Sequence, residues 1–398
     1  DAGCPASPVN TLDRVAKDPQ IAEARGMFPE IDQPGIGQMK VTASAQKLTN
    51  TKSYPRKAAP LLGENNEAIF GRMLGFDSEK LARLKEQGVI LREAAAMERN
   101  VKFIEVGPRD GFQSVKGDMI PTQLKLEVIR RMLDAGVGHM EFTSFVSPKA
   151  IPQLADSAEV TQALLAEYPG ADLFALVPNL RGARRAYELG LRKVCYVVSL
   201  SASHNKANIN RTHQQSLAAY REIRESCPEL EIVLDLATAF GCPFEGKYRE
   251  PGVAVDFLRD YIEVGVTTCC LCDTIGIADP AQVRGLLSAL KAAYPALSLE
   301  VHFHDTRGLG VLNTCAALEA GVSGVQAALG GLGGCPFAPG ASGNTASEDL
   351  IYLLDQLGVE TGVDFAKMLA TAKYQRERVP GSYSGHHINI NAPQCALG

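Results

Sequence analysis

The sequence predicts an α/β fold: a (β/α)8 TIM barrel preceded by an N-terminal extension of irregular and helical structure. The first observation is that eight apolar or mixed segments of strand length alternate with helical patterns after residue 100. The candidate strands are 102–106, 139–144, 172–177, 193–199, 231–237, 267–272, 299–304 and 322–329. Eight strands with intervening helices are what one closed barrel requires.

Two further observations concern the ends of these segments. A glycine that can end a helix in the left-handed conformation recurs before four candidate strands, at Gly136, Gly190, Gly265 and Gly321. Polar motifs follow several strands, where barrel enzymes build their active sites. A doubly wound open sheet is the competing fold, because alternation alone does not exclude it; the strand count and the polar motifs favour closure.

The N-terminal segment, residues 1–92, differs from the barrel region. Seven prolines interrupt its first 60 residues, and helical periodicity begins only at Asn66–Leu74 and Ser78–Leu84. We expect Ser78 to cap the second of these helices. The segment alone would bury little core.

Helix starts within the barrel region, residues 100–365, follow known capping patterns. Asp279 precedes Pro280, so an N-cap is followed by proline at the first helical position, and Thr122 opens another helix. An apolar stripe then continues the Asp279 helix through Val283, Leu286, Leu287 and Leu290. Residues 366–398 are predicted to be a polar C-terminal tail, with His386 and His387 on the solvated surface.

The composition argues against a nucleic-acid-binding protein and against a membrane-spanning one. The 398 residues are 45% hydrophobic and 21% charged, with a formal charge of −5, which is typical of a globular protein without a basic nucleic-acid footprint. No apolar run is long enough to span a membrane. Cys269, Cys270 and Cys272 are too close together to pair well, which favours reduced thiols and a cytoplasmic location.

A candidate metal site centres on His302 and His304. Side chains two residues apart on a strand point the same way, so these imidazoles lie about 7 Å apart and can share one ion. Asp110 follows strand 1 and Asn344 follows strand 8, and strands 1, 7 and 8 are neighbours in a closed barrel. One carboxylate, two imidazoles and one amide oxygen suit Mg²⁺ or Mn²⁺. Two alternatives stay open: hydrogen-bonded histidines without a metal, and a non-haem iron site.

Three charged residues near this site are catalytic candidates. Arg109 can hold an oxygen on which negative charge develops, or form a salt bridge at the barrel rim. Asp273, at the end of strand 6, can orient Arg109, act as a base or cap a loop. Glu141, in strand 2, supports Arg109 or the metal if it points inward, because a buried carboxylate needs a partner.

The run from Gly330 to Asn344 is too rich in glycine for regular structure and is typical of a mobile lid. Cys335 lies near its tip and can move one proton if nearby charges tune its pKa. The alternatives are a phosphate cradle and a cysteine without a catalytic role.

Residues 100 to about 365 resemble the 3-hydroxy-3-methylglutaryl-CoA lyase family of metal-dependent TIM-barrel lyases. The motifs that carry the resemblance are Val106–Gln113, Glu141–Lys149, Val177–Leu180, Gly241–Lys247, Asp273–Gly276, His302–Thr306 and the loop 330–344. The resemblance implies that Asp110, His302, His304 and Asn344 bind the metal, that Arg109 stabilises the carbonyl oxygen and that Cys335 handles a proton. It places Asp273, Glu141 and Lys116 in or beside the site.

The implied reaction breaks a carbon–carbon bond of a 3-hydroxy-3-methylglutaryl-CoA-type substrate, giving acetyl-CoA and a keto acid. The implied partner is an acyl-CoA, and a homo-oligomer is a further expectation. A synthase or aldolase on the same barrel is one alternative, although such enzymes generally lack the Gly-Gly-Cys lid. A non-catalytic binding module is another, although it predicts that a ligand or lid residue is missing.

Two features put the substrate in question. Residues 1–92 resemble the C-terminal end of family III CoA transferases, through motifs such as Arg25–Phe28 and Pro60–Glu64. We therefore expect an upstream CoA-transferase portion of the same chain. The resemblance places that family's catalytic carboxylate far upstream, so it assigns no transferase activity to residues 1–92. Arg307 stands where the lyase family usually has tyrosine, and this extra cation can bind a differently placed carboxylate. Citramalyl-CoA, which would give acetyl-CoA and pyruvate, is the alternative substrate.

Overall fold

A computed structural model describes residues 11–33, 37–48, 50, 57–60, 63–86, 90, 101–334 and 343–390. The chain divides into two units, Asp1–Ala95 and Ala96–Gly398. Within the described residues, no helix is both long and apolar enough to cross a membrane.

The first unit consists of short elements. These are a helix Leu12–Val15, helical turns Pro19–Ala24 and Glu67–Met73, an antiparallel hairpin Glu30–Gln33 and Gly37–Lys40, and a helix Ser78–Glu86. Of its described residues, Ala43, Leu81 and Ile90 are the buried apolar ones, so the described part of this unit has little core, in agreement with the sequence. Oδ1 of Asp77 accepts the N–H of Lys80 at 2.7 Å. Asp77, rather than the predicted Ser78, therefore caps the last helix.

The second unit contains a closed barrel of eight parallel strands. In chain order they are β1 (Lys102–Glu105), β2 (His139–Ser144), β3 (Asp172–Leu176), β4 (Lys193–Ser199), β5 (Glu231–Ala237), β6 (Thr268–Asp273), β7 (Ser298–Phe303) and β8 (Gly324–Ala327). β8 pairs with β1 in the register Val325 to Phe103, which closes the sheet and excludes the open alternative. All eight predicted strands are confirmed, with ends that shift by two residues at most.

Helices surround the barrel. They are α1 (Thr122–Asp134), α2 (Ser157–Glu167), α3 (Leu180–Glu188), α4 (His213–Ser226), α5 (Gly252–Glu263), α6 (Pro280–Ala293), α7 (Gly310–Glu319), α8 (Ser347–Gln356) and α9 (Phe365–Arg378), with a short extra helix Ala202–Ile209 before α4. The predicted caps are largely confirmed: the Asp279 side chain accepts the N–H of Gln282 at 3.0 Å, and α1 begins at Thr122. The predicted stripe of α6 is buried in full.

Two apolar clusters stabilise this unit. The larger lies between the strands and the helices, and it includes Phe103, Val283 and Leu350. The smaller fills the barrel interior and includes Ile104, Phe174 and Cys270. Interior side chains of a small barrel form packed layers rather than a pore.

The C-terminal prediction of a polar tail over residues 366–398 is wrong for residues 366–390. α9 buries Met368 and Ala372 and contacts α1, and Ile388 is also buried. Both His386 and His387 contact Asp349, although the side chain of His386 is 80% exposed. Arg376 and Arg378, whose charges favour a polar tail in the sequence, lie in the last turn of this amphipathic helix and are not buried. Residues 391–398 lie outside the described residues.

Candidate metal centre and active site

The loop after β1 brings Asp110 to the carboxyl end of the barrel. A tight helical turn, Gly107–Gly111, begins directly after the strand. Oε1 of Glu105 accepts the N–H of Gly107 at 2.7 Å, and a Cβ atom at Gly107 would lie only 2.6 Å from that oxygen. Glycine is therefore required for the turn that directs Asp110 toward the barrel axis.

Asp110, His302 and His304 converge. One ligand atom from each of the three side chains lies within 4.8 Å of the others. Both histidines are buried, with 6% and 8% exposure, and their ring centroids are 5.2 Å apart. A carboxylate and two imidazoles at this spacing can hold one divalent cation.

Asn344 completes the predicted set. It forms a β-bridge with His304, and its Nδ2 donates to Oδ2 of Asp110 at 2.9 Å and to the carbonyl of Leu332 at 3.1 Å. Its buried Oδ1 accepts no hydrogen bond from the described residues. The two ends of the glycine-rich loop meet here, because a Cβ at Gly343 would lie 2.7 Å from the carbonyl carbon of Gly333. All four residues predicted to bind metal are thus together.

Two glutamines that the sequence analysis did not single out orient this set. Oε1 of Gln326 accepts from Nδ1 of His302 at 3.1 Å, which leaves Nε2 of the imidazole available to a metal. Nε2 of Gln113 donates to Oδ1 of Asp110 at 2.7 Å. Gln326 is the register partner of His302 on β8, so a polar residue inside an apolar strand was the available signal.

The electrostatic environment favours the charge states that bind a cation. Burial alone would raise the pKa of Asp110, but Arg109, the two histidines and the hydrogen bond from Asn344 together outweigh it, and the pKa falls to about 2. Burial lowers the pKa of His304 to about 4 and also lowers that of His302. Near neutral pH the site therefore offers one carboxylate and two neutral imidazoles.

Arg109 is fixed on two sides. Its Nε and Nη2 donate to the two oxygens of Glu141 at 2.6 and 2.8 Å, and its Nη1 donates to Oδ1 of Asp110 at 2.6 Å. Burial alone would lower its pKa, but Glu141 and Asp110 raise it. The side chain of Glu141 points into the barrel and supports Arg109, one of the two arrangements that the sequence allowed.

Asp273 takes the capping arrangement. Its oxygens accept the N–H groups of Ile277 and Ala278 at 2.9 and 3.0 Å, which closes the loop after β6. Within the described residues no hydrogen bond joins it to Arg109, so it does not orient that side chain directly. Burial raises its pKa, while the two backbone bonds, His304 and Arg307 lower it. The effect of His304 on this pKa shows that Asp273 lies close enough to interact electrostatically with one of the proposed metal ligands.

The remaining predicted residues lie around the mouth or outside the described part of the chain. Lys116 is exposed in the loop between β1 and α1. Arg307 is also exposed, and its Nη1 donates to the carbonyls of Ile275 and Gly276 at 2.8 Å each. Cys335 lies outside the described residues, as does most of the predicted lid; the described ends of that loop are Gly330–Gly334 and Gly343–Asn344.

Further buried polar residues adjoin the site without having been predicted. Glu105 accepts from the N–H groups of Gly107 and Leu329 and from the hydroxyl of Ser347, and burial raises its pKa to about 7. Sγ of Cys195 donates to Oε1 of Glu141 at 2.9 Å. Asp235 and Cys270 are paired deeper in the barrel, and Cys272 is the register partner of His302. Polar residues inside otherwise apolar strands were the only signal in the sequence for these.

Comparison with protein families gives two matches. Residues 100–374 match the HMGL-like family, and residues 1–66 match CoA-transferase family III. The first match covers the whole barrel and most of α9. The second falls within the first unit.

Individual relatives agree with the larger match. The chain is 42% identical over 276 residues to the mitochondrial hydroxymethylglutaryl-CoA lyase of Arabidopsis thaliana, which covers 69% of this chain and 58% of the relative. It is 39% identical over 294 residues to the hydroxymethylglutaryl-CoA lyase YngG of Bacillus subtilis, covering 73% of this chain and 97% of the relative. A solved HMG-CoA lyase of Acinetobacter baumannii, in complex with coenzyme A and 3-methylmalate, aligns with a TM-score of 0.70 and 36% identity over 77% of this chain and 99% of that one.

Proposed function

Because this chain belongs to the HMGL-like family, we propose that it is a carbon–carbon lyase acting on an acyl-CoA thioester. The preferred substrate is 3-hydroxy-3-methylglutaryl-CoA, and the products are acetyl-CoA and acetoacetate. The observation that carries this proposal is the convergence of Asp110, His302 and His304 beside the buried Arg109. That combination offers a cation site and a permanent positive charge at the same end of the barrel.

The donor set fits the divalent metal on which lyases of this family depend. Asp110, His302, His304 and Asn344 would hold it, and the buried Oδ1 of Asn344 and Nδ1 of His304, which have no partners in the described part of the chain, support this assignment. The mixed oxygen and nitrogen donors favour Mg²⁺ or Mn²⁺. When bound, the ion supplies Lewis-acid polarisation of the substrate hydroxyl and carboxylate oxygens.

Three side chains have separate roles in the proposed reaction. A base removes the tertiary hydroxyl proton, the bond between C2 and C3 breaks, and its electrons pass to the thioester as an enolate. Arg109, oriented by Glu141, stabilises the enolate oxygen. Asp273 is the candidate base, since burial raises its pKa and favours the protonated form after transfer. Protonation of the enolate by Cys335 then gives acetyl-CoA.

Product analysis with purified protein tests the proposal. The protein is incubated with 3-hydroxy-3-methylglutaryl-CoA and Mg²⁺ or Mn²⁺, and acetyl-CoA and acetoacetate are identified. We expect activity to disappear after treatment with a chelator, to return with either ion, and to be lost in Asp110→Asn. Asp256→Asn, on the exposed face of α5, is the matched control and should remain active. Activity that survives both metal removal and Asp110→Asn would refute the metal assignment.

A second candidate substrate is citramalyl-CoA, cleaved to acetyl-CoA and pyruvate. Two observations favour it: the transferase-like segment, residues 1–66, and the cation of Arg307 at the mouth, held by backbone carbonyls of the β6 loop. A transferase could form the thioester of a free hydroxy acid that a lyase then cleaves. One solved relative carries coenzyme A with 3-methylmalate, also a hydroxylated dicarboxylate.

Direct competition between the two thioesters decides the substrate. The two thioesters differ by one methylene in the position of the carboxylate. If citramalyl-CoA is preferred because Arg307 binds its carboxylate, Arg307→Gln should raise the KM of citramalyl-CoA more than that of 3-hydroxy-3-methylglutaryl-CoA. Turnover of 3-hydroxy-3-methylglutaryl-CoA alone would exclude citramalyl-CoA. The cytoplasmic location, the homo-oligomer and an upstream transferase portion stay predictions.

A further inference from the structure

A group of thiols and a carboxyl lies inside the barrel below the metal centre. Asp235 on β5 and Cys270 on β6 are register partners, and Cys272 follows two residues later on the same strand. One ligand atom from each of the three lies within 4.8 Å of the others. Cys272 is in turn the register partner of His302, so one end of this group, which we call the thiol cluster, lies beside the proposed Mg²⁺ or Mn²⁺ site. Cys270 and Asp235 lie two residues deeper along their strands.

Asp235 lacks a charge partner at this depth. The residue is 3% exposed, and its Oδ1 accepts no hydrogen bond from the described residues. The nearby guanidinium of Arg109 already forms its ion pairs with Glu141 and Asp110. A buried carboxyl without a cation must either carry a proton or bind a metal ion. Its environment is thus adapted to receive positive charge.

The spacing of the sulfur atoms matches a thiolate metal site. Sγ of Cys270 and Sγ of Cys272 are 4.0 Å apart. Two sulfurs bound to one tetrahedral zinc at about 2.3 Å stand roughly 3.8 Å apart. Cys195 lies beside Asp235 on the other side, because it groups with Asp235 and Glu141 within the same 4.8 Å limit. Asp235, Cys270 and Cys272 therefore offer three donor atoms at a spacing close to that of a tetrahedral zinc site.

We propose that Asp235, Cys270 and Cys272 form a second metal site, selective for a thiophilic divalent cation such as Zn²⁺, with Cys195 as its fourth donor. Thiolates prefer zinc to magnesium, whereas the site above the thiol cluster offers oxygen and imidazole donors. Cys272 is only half-buried, so a cation can reach the thiol cluster from the active-site mouth. The barrel would then hold two metals of different chemical class in adjacent layers.

Proton release accompanies binding. A divalent cation replaces the protons of the Cys270 and Cys272 thiols and the proton of the Asp235 carboxyl, and no electron transfer is involved. Three charged groups act on Asp235 across the barrel interior: Arg109 in the β1 loop, Glu141 on β2 and Glu300 on β7. Affinity should therefore increase as the pH rises, because metal and protons compete for the same atoms.

Cobalt substitution tests the site independently of lyase activity. The whole protein, freed of metal, is titrated with Co²⁺, and thiolate-to-cobalt charge transfer is followed in the near ultraviolet; Zn²⁺ should displace the signal and Mg²⁺ should not. We expect the band to disappear in Cys270→Ser and Cys272→Ser and to weaken in Asp235→Asn. Cys227→Ser and Cys315→Ser are the matched controls, since both cysteines lie away from the thiol cluster, and both variants should retain the band. Far-ultraviolet circular dichroism verifies that each variant is folded.

Three outcomes would overturn the proposal. One is the absence of a charge-transfer band in the folded wild-type protein. Another is a band that persists in folded Cys270→Ser and Cys272→Ser variants. A third is a band lost only in Cys335→Ser, which would move the thiolate to the loop. None of these outcomes bears on whether the protein cleaves an acyl-CoA, because the readout requires no substrate.

Discussion

Arg109 is both held in a fixed position by its neighbours and proposed to interact with the substrate. A guanidinium has five N–H groups, and the structure uses three of them on Glu141 and Asp110. Because the bond pair to Glu141 is bidentate, the plane of the guanidinium is fixed before a substrate arrives. The two other N–H groups, which bond to none of the described residues, are available to a thioester oxygen.

Replacing Arg109 by lysine should separate charge from geometry. Lysine keeps a positive charge but cannot bind Glu141 with a fork or present a second donor to the enolate. We expect kcat to fall by about 10²–10³-fold, with a smaller change in KM. Steady-state kinetics measures the effect, and thermal unfolding verifies that the variant is folded. A folded Arg109→Lys variant with unchanged kcat would contradict the proposed role.

Gln326 should influence metal affinity without touching the ion. Its Oε1 fixes the ring orientation of His302 by accepting from Nδ1. Loss of such a partner typically costs about 10–100-fold in metal affinity. We therefore expect Gln326→Ala to weaken Mn²⁺ binding by that amount in calorimetric titration. Gln162→Ala, on the exposed face of α2, is the control, and equal affinity in both variants would show that the hydrogen bond does not matter.

Among the secondary-structure elements, α8 carries an unusual pH sensitivity through Glu348. Its Oε2 accepts the N–H of Gly330 at 2.9 Å, which anchors the turn after β8. Burial, reinforced by Asp349 and Glu105, raises its pKa from 4.5 to about 8. Between these two values the folded state binds more protons than the unfolded state, so stability falls as the pH rises.

Glu348→Gln should remove this contribution while keeping an acceptor for Gly330. The free energy of unfolding of the wild-type protein should decline relative to the variant from pH 4.5 to about 8, by at most about 1.4 kcal/mol per pH unit. Urea unfolding across this pH range measures the difference. Parallel curves for the two proteins would mean that Glu348 titrates normally in the fold.

Asp349, also on α8, holds the C-terminal segment against the barrel. Its two oxygens accept the backbone N–H and the Nδ1 of both His386 and His387 at 2.5 to 3.0 Å. Asp349→Ala leaves two backbone donors without this acceptor, so we expect a loss of about 1–3 kcal/mol in the free energy of unfolding. Asp355→Ala, exposed at the end of the same helix, is the control. A similar small loss in both variants would show that the contact contributes little.

The strands and the convergence of the proposed metal ligands could be predicted from the sequence because each leaves a local pattern. His302 and His304 reveal themselves by strand alternation, and Asp110 by its place after an apolar strand. Side-chain contacts between distant residues leave no such pattern, because they depend on how the elements pack. Examples are the hydrogen bonds of Asp273 to its own loop and the contact between Asp349 and His387. The C-terminal helix α9 was not predicted from the sequence, because its basic residues outweighed the few apolar residues, such as Met368 and Ala372, that are buried where α9 contacts α1.

At the scale of the molecule, barrel closure is what creates the site. Asp110 and Asn344 are separated by 234 positions yet are hydrogen-bonded at 2.9 Å. That contact exists because β8 pairs with β1 and brings the first and last loops together. Every ligand is placed by a strand end within the second unit. The first unit contributes none of them.

The barrel unit should therefore fold and cleave substrate without the first unit. A chain of residues 96–398 retains all eight strands, both apolar clusters and the four proposed ligands. We expect cooperative thermal unfolding and a kcat/KM for the preferred thioester close to that of the whole chain. Residues 1–95 alone, with so few buried side chains, should show no cooperative transition, because burial of apolar surface is the main stabilising contribution in a small domain. If residues 96–398 fold but are inactive, the transferase-like segment takes part in catalysis; if they fail to fold, it is structurally essential.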